Sequence, residues 1–117
     1  MDRRVIWIVQ LLEHRWHAHV RLSELARIVG LGESRLQHLF KQETRISIRE
    51  YIRERRLREA ARMLEQTEER ISVISFRVGF QHVANFNHAF KKSFGVSPRE
   101  YRNSRTDQVN AENANLF

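Results

Sequence analysis

Along most of the chain, apolar residues recur at intervals of three and four, the signature of amphipathic helices rather than strands. From Arg3 to His17 the pattern places Val5, Ile8, Val9, Leu12 and Trp16 on one helical face. Trp7 and Leu11 fall on another side. In a short helix of a very small domain, burial over more than half the circumference accounts for them. A second helix is predicted from Leu22, with Ser23 as a candidate N-cap and Gly30 as a left-handed stop. A third follows almost at once, from about Glu33 to Gln42. Two short helices divided by so brief a glycine turn are the outline of a helix-turn-helix.

The longest uninterrupted helical pattern runs from Ser47 to Glu65. It opens with Ser47-x-x-Glu50, a capping box, and no Gly or Pro follows until Gly79. Its apolar residues change sides: Ile48, Tyr51 and Ile52 point one way, and Leu57, Ala60, Ala61 and Leu64 roughly the opposite way. Charges at Arg53, Glu54, Arg55, Arg56 and Arg58 argue against burial in one core. The pattern predicts a strut between two small cores.

The two flanks of this strut are similar. Ile74-Ser75-Phe76-Arg77-Val78-Gly79 repeats Leu25-Ala26-Arg27-Ile28-Val29-Gly30 forty-nine residues further on. After one inserted residue the spacing becomes fifty, pairing Leu36 with Phe86, Phe40 with Phe90, Lys41 with Lys91, Ser47 with Ser97 and Tyr51 with Tyr101. This is an internal duplication of one structural unit. The expected division is a first helix-turn-helix subdomain at 1–46, a central helix at 47–65, a second subdomain at 66–102 and a tail at 103–117. That tail, polar and aperiodic after Asn103, reads as frayed or disordered. Leu116 and Phe117 could dock, though nothing in the sequence says where. The fold class is all-α.

Charge then narrows the partner. A formal net charge of +7 and a pI near 11.0 point to a polyanion, nucleic acid before an anionic membrane surface. With no cysteine, a disulfide framework and cysteine-based zinc sites are excluded. The apolar run Val5 to Leu12 is too short to span a bilayer and lacks a signal-peptide cleavage site, so a cytoplasmic or nucleoid location and no membrane partner are expected. His14, His17 and His19 lie close together, but the i, i+3 pair lacks a nearby third carboxylate or thiolate, which leaves them as a solvated helix end rather than a metal site. No nucleophile–base arrangement, paired acids or phosphate loop is visible, so neither catalysis nor a cofactor is expected.

If Leu36, Leu39 and Phe40 face inward, Ser34, Gln37, His38 and Lys41 share the outer face of the second helix in copy one. In copy two the outer set is Ala84, Asn87, His88 and Lys91. Gln37 and Asn87 can pair bidentately with adenine, Ser34 can donate or accept, Ala84 offers a methyl to thymine, and His38 and His88 can donate to guanine or phosphate. Lys41 and Lys91 sit one turn on, where the DNA backbone would lie, and Arg35, Arg45, Arg53, Lys92 and Arg102 could extend that phosphate track. Singly each reads as an ordinary solvated residue. Two matching faces in a basic chain favour duplex DNA.

The run from Gly79 to Arg102, GFQHVANFNHAFKKSFGVSPREYR, resembles the signature of AraC/XylS-type transcriptional regulators. Arg56-Leu57-x-x-Ala60-x-x-Met63-Leu64 and Leu22-Ser23-Glu24-Leu25-Ala26 match as well, so the resemblance covers residues 5 to about 102. It implies seven helices in two helix-turn-helix subdomains joined by the long central helix, with the third and sixth helices entering successive major grooves. By position it makes Ser34, Gln37, His38, Val83, Ala84, Asn87 and His88 the base readers. It also implies recruitment of RNA polymerase. Gly32 stands where a serine cap is usual, and histidines occupy 38 and 88 where arginine is common in small stand-alone members. With Val83 and Ala84, the second reader depends on methyl contact or DNA shape.

The resulting expectation is a sequence-specific regulator of double-stranded promoter DNA, an activator, monomeric if it stands alone. The initial methionine and the lack of a sensor segment lean toward the stand-alone form. Rival readings are the DNA-binding half of a longer ligand-responsive dimer, and an adaptor binding proteins through Trp7, Leu11 and the tail.

Overall fold

Asp2 starts the first helix, α1 (Arg3–Arg15), by accepting the Arg4 backbone N–H at 2.8 Å. Hydrogen bonds from the Arg4 side chain and backbone hold its carboxyl well below the usual range, at about 2. The computed structural model describes the backbone of residues 1–114, with side chains described through Thr106 and at Glu112. Over these residues α1 is followed by α2 (Leu22–Val29), α3 (Glu33–Thr44), α4 (Ile48–Gln66), α5 (Ile71–Arg77), α6 (Val83–Phe94) and α7 (Pro98–Ala114), and no strand is present.

The chain divides into two compact units, Met1–Arg56 and Leu57–Phe117, so the division falls inside α4. In the first unit Val5, Ile8 and Leu12 of α1 pack with Leu25 and Ala26 of α2, Leu36 and Phe40 of α3 and Ile48 of α4. Tyr51 and Ile52 lie against the same core, partly buried. In the second unit the buried residues include Leu57, Ala60, Ala61, Met63 and Leu64 of α4, Ile74 and Ser75 of α5, Val78, Phe86, Ala89 and Phe90 of α6, and Pro98 of α7.

Each unit is closed by the start of the helix that follows α3 or α6. Ser47 Oγ accepts the Glu50 N–H at 3.1 Å, and Ser97 Oγ accepts the Glu100 N–H at the same distance. Each serine supplies an acceptor for one of the orphan donors of the first turn. One turn on, Tyr51 donates to Glu13 at 2.6 Å and lies edge-on to Phe40, while Tyr101 donates to Glu65 at 2.6 Å and lies edge-on to Phe90. A further turn along, Arg55 pairs with Glu13 at 2.7 Å and Arg105 with Glu65 at 3.1 Å. A Tyr–Glu–Arg latch thus ties the closing helix of each unit to its opening helix, α4 to α1 and α7 to the second half of α4. Burial and the carboxylate of Glu65 together raise the pKa of the Tyr101 phenol above its ordinary value, so it remains the donor.

Two expectations are corrected. The polar composition after Asn103 predicts a frayed tail, yet the backbone stays helical to Ala114. No Gly or Pro interrupts this stretch, Ala, Gln and Glu are adequate helix formers, and the Arg105 latch holds its first turns. The suggested docking of Leu116 and Phe117 lies outside the described residues. Trp7, expected to be buried by a helix covered on more than half its circumference, is 53% exposed, and Ile6 beside it is 41% exposed. The first unit has too few elements to cover that side, whereas Leu11 is half-buried.

Ser75, fully buried on α5, is an exception to good core chemistry, because its hydroxyl finds no hydrogen-bond partner. Its counterpart forty-nine residues earlier is Ala26, also buried. An unsatisfied buried hydroxyl costs about 1–3 kcal/mol. Ser75→Ala is therefore expected to stabilise the second unit by about 1 kcal/mol, measured as an upward shift in its urea midpoint. A decrease in that midpoint would mean that the hydroxyl is satisfied in solution.

Candidate nucleic-acid interface

In each unit a two-helix turn presents one helix outward. The chain leaves α2 through Gly30, at φ 70°, where the Gly30 N–H reaches the Arg27 carbonyl at 3.2 Å and the Leu31 N–H reaches Ala26 at 2.9 Å. Only a left-handed residue allows both bonds, and glycine takes that conformation without strain. The second turn repeats the geometry, with Gly79 N–H on Phe76 at 3.1 Å and Phe80 N–H on Ser75 at 3.0 Å. Phe80 then stacks edge-on against Phe86 at 5.3 Å, which seats α6 on α5. Neither α3 nor α6 has a side-chain cap: Gly32 and His82 occupy the N-cap positions.

On α3, Leu36 and Phe40 are buried, and Ser34, Arg35, Gln37, His38 and Lys41 are all exposed. On α6, Phe86, Ala89 and Phe90 are buried, Ala84, Asn87, His88, Lys91 and Lys92 are exposed, and Val83 is half-buried. Each helix therefore carries its candidate readers on its solvent side, with the lysine one turn beyond the histidine or amide. Both α3 and α6 end in a left-handed residue whose N–H returns to that lysine's carbonyl, Arg45 to Lys41 at 2.9 Å and Gly95 to Lys91 at 2.8 Å. Arg45, at φ 72°, is the one non-glycine residue with positive φ among those described. Such a conformation costs an L-residue roughly 1–2 kcal/mol. Arg45 thus stands exposed at the C-terminal end of α3 in spite of strain that glycine avoids in the second unit.

The phosphate candidates do not all stand alike. Arg53 on α4 is exposed. Arg102 is turned inward, its Nε donating to the Leu64 carbonyl and its Nη2 to the Thr67 carbonyl, both at 3.2 Å. Those bonds close the C-terminal end of α4, a structural task that Arg56 performs for α1 through the carbonyls of Trp16 and Ala18, at 3.0 and 3.4 Å. Arg102 is thereby set apart from the other, exposed phosphate candidates.

Beside α6 lies an open notch of about 510 Å³ lined by Ser72, Asn87, His88, Lys91, Ser97 and Arg99, with an apolar floor that includes Ile71 and Val83. Ser72 and Arg99 were not among the residues singled out from the pattern. Their signal lay in the duplication, which places Ser23 and Arg49 at the same points of the first unit. Among the described residues no group of three side chains is gathered in a way that could hold a metal ion, and no helix is long and apolar enough to cross a membrane.

A family model described as a helix-turn-helix domain matches residues 25–104. The chain is 33% identical to the arabinose operon regulatory protein of Escherichia coli K12 over 94% of its own length and 38% of that protein's. It thus spans well under half of that relative. Among solved structures it is similar to the C-terminal domain of AraT, a response regulator from Geobacillus stearothermophilus, with 32% identity, 89% of this chain and 87% of that one covered, and a TM-score of 0.79. It is also similar to a transcriptional regulator with an AraC-type DNA-binding domain from Chromobacterium violaceum, with 29% identity, coverage of 87% and 91%, and a TM-score of 0.81.

Proposed function

From the premise that the chain belongs to the AraC/XylS-type family of helix-turn-helix transcription regulators, we propose that it binds double-stranded promoter DNA sequence-specifically, with α3 and α6 each entering a major groove. The observation that carries this reading is the pair of matching exposed faces, Gln37-His38-Lys41 and Asn87-His88-Lys91, on two duplicated units in a chain of net charge +7. Gln37 and Asn87 supply a donor and an acceptor in one plane, which is what an adenine edge in the major groove requires. Ser34 and His38 read neighbouring bases in the first unit. Val83 and Ala84 give the second unit methyl contacts, so its preference leans on thymine and on DNA shape. Lys41, Lys91, Lys92, Arg35, Arg45 and Arg53 hold phosphates and fix the register of both readers.

In this reading the two grooves are successive and one chain spans an asymmetric site as a monomer in the bacterial nucleoid. It activates transcription by bringing RNA polymerase to the promoter, a role that rests on family resemblance. No chemistry is performed on the DNA, and no cofactor is needed. A second reading, in which these units are the DNA-binding part of a longer ligand-responsive dimer, is favoured by the small share of the E. coli relative that the chain spans. Sedimentation separates the two, since a stable dimer without DNA supports the second.

Selection of sites from random duplexes tests DNA specificity directly. On the selected site, Gln37→Ala is expected to weaken binding by about 1–3 kcal/mol and to relax the preference at one base pair. Equal loss on random duplex would assign Gln37 to the backbone instead.

A further inference from the structure

Resting on the DNA-binding reading, we propose that Arg99 and Ser72 seat a backbone phosphate of duplex DNA in the notch beside α6, next to the base-reading side chains. The notch is rich in donors: the Arg99 guanidinium, the Lys91 ammonium, the Ser72 hydroxyl and the His88 ring all line it. Among the described residues that line it there is no carboxylate, and neither Arg99 nor Lys91 has an acidic partner among the ion pairs of the described residues. In the same unit three exposed arginines are matched by acids, Arg62 by Glu59, Arg77 by Glu69 and Arg105 by Glu65, whereas the exposed Arg70 and Lys92 have no acid among the ion pairs and do not line the recess. Cations left without acids around an open recess of about 510 Å³ form a seat for an external anion.

The shape of the recess says which anion. Asn87 and His88 line it together with Arg99, so a group held there lies beside the base-reading edge of α6. A phosphodiester flanking the groove occupies that place in any helix-in-groove complex. Ile71, Val83 and Pro98 supply the apolar part of the wall. The Ser97 hydroxyl accepts the Glu100 N–H, and its own proton is left to donate into the recess. Arginine at position 99 can grip two phosphate oxygens at once, which a lysine cannot do. The contact fixes the register of α6, which matters most for a reader whose own face holds Val83 and Ala84.

The test uses the duplex recovered by selection and measures affinity across a salt series. Arg99→Gln is expected to weaken binding roughly tenfold, as for loss of a hydrogen bond to a charged group, and to lower the salt slope by about 0.9. Arg99→Lys should restore the slope while recovering only part of the affinity, and Ser72→Ala should weaken binding without changing the slope. Duplexes with a single neutral methylphosphonate then locate the contact. The wild type should lose affinity at one backbone position flanking the site of α6, and Arg99→Gln should lose nothing further there. An Arg99→Gln variant with the wild-type slope, or with the wild-type loss at every neutralised position, overturns the proposal. If the slope is unchanged while Asn87→Ala weakens the selected site, only this proposal falls. If the wild type binds no duplex, the DNA-binding reading falls with it.

Discussion

Phe90→Ala is expected to cost about 3–5 kcal/mol and to unfold the second unit under conditions in which the first stays folded. Phe90 is fully buried and is the hub of the aromatic packing in that unit. Phe94 stacks on it at 4.4 Å between centroids, Tyr101 meets it edge-on at 5.4 Å, and Phe86 lies tilted at 5.8 Å. Truncation removes all three contacts and leaves a cavity between α6 and α7 that rigid rings cannot fill. Both tryptophans, Trp7 and Trp16, belong to the first unit. Tryptophan fluorescence therefore reports that unit alone, while far-ultraviolet circular dichroism reports both. In the variant, a large part of the dichroism should be lost at a lower urea concentration than the fluorescence. A loss below about 1 kcal/mol would show that the cluster is not the core of the unit.

Glu59→Pro is expected to abolish binding to the full selected site, a larger effect than that of any single base contact. Glu59 lies in the interior of α4, the helix that contributes Ile48 to the first core and Leu57, Ala60 and Leu64 to the second. Proline there removes the N–H that bonds the Arg55 carbonyl and sets its ring against that carbonyl, at a cost of about 3 kcal/mol or more. Arg55 is also the residue that latches to Glu13 and lies over the Trp16 ring, so the break falls at the closing contact of the first unit. Glu59→Ala separates this effect from the ion pair with Arg62. The Arg62 side of that pair is exposed while Glu59 is partly buried, so its loss costs about 1 kcal/mol of stability without breaking the helix, and the alanine variant should bind nearly as the wild type does. Full-site affinity retained by the proline variant would show that the two readers need no continuous helix between them.

What the sequence discloses follows from how local each signal is. Helix spacing, the glycine turns at Gly30 and Gly79 and the serine caps at Ser47 and Ser97 are written within a few residues, and the repetition of one unit reinforces each of them. The latches are not local. Glu13 meets Tyr51 and Arg55 across some forty residues, and in a pattern of hydrophobic and polar positions Tyr51 reads as a core-facing residue while Glu13 and Arg55 read as solvated charges. A trace was nonetheless present: Val5, Ile8, Leu12 and Glu13 stand fifty-two residues before Leu57, Ala60, Leu64 and Glu65. The exchange of Val for Leu and Ile for Ala hid this register. The inward bonds of Arg102 were hidden for the same reason, since a positive charge in a basic chain suggests phosphate until the carbonyls of Leu64 and Thr67 are seen to take it up. Trp7 erred in the other direction, because periodicity shows which residues share a face but not whether a neighbour arrives to cover it. The face of α6 was legible from the duplication, whereas the recess beside it, formed where α5, α6 and α7 converge, was not.

The latches make α4 the closing helix of one unit and the opening helix of the next. A chain assembled by such overlap needs one added helix, not two, at each junction between units, and its growth has no built-in end. The start of α7 already carries the closing set, Ser97, Tyr101 and Arg105. With an apolar face and acid placed further along it as Leu57, Ala60, Leu64 and Glu65 are on α4, the same helix would become the first member of a third reader. Among the described residues the fold is in that sense an array of two overlapping units that share one helix.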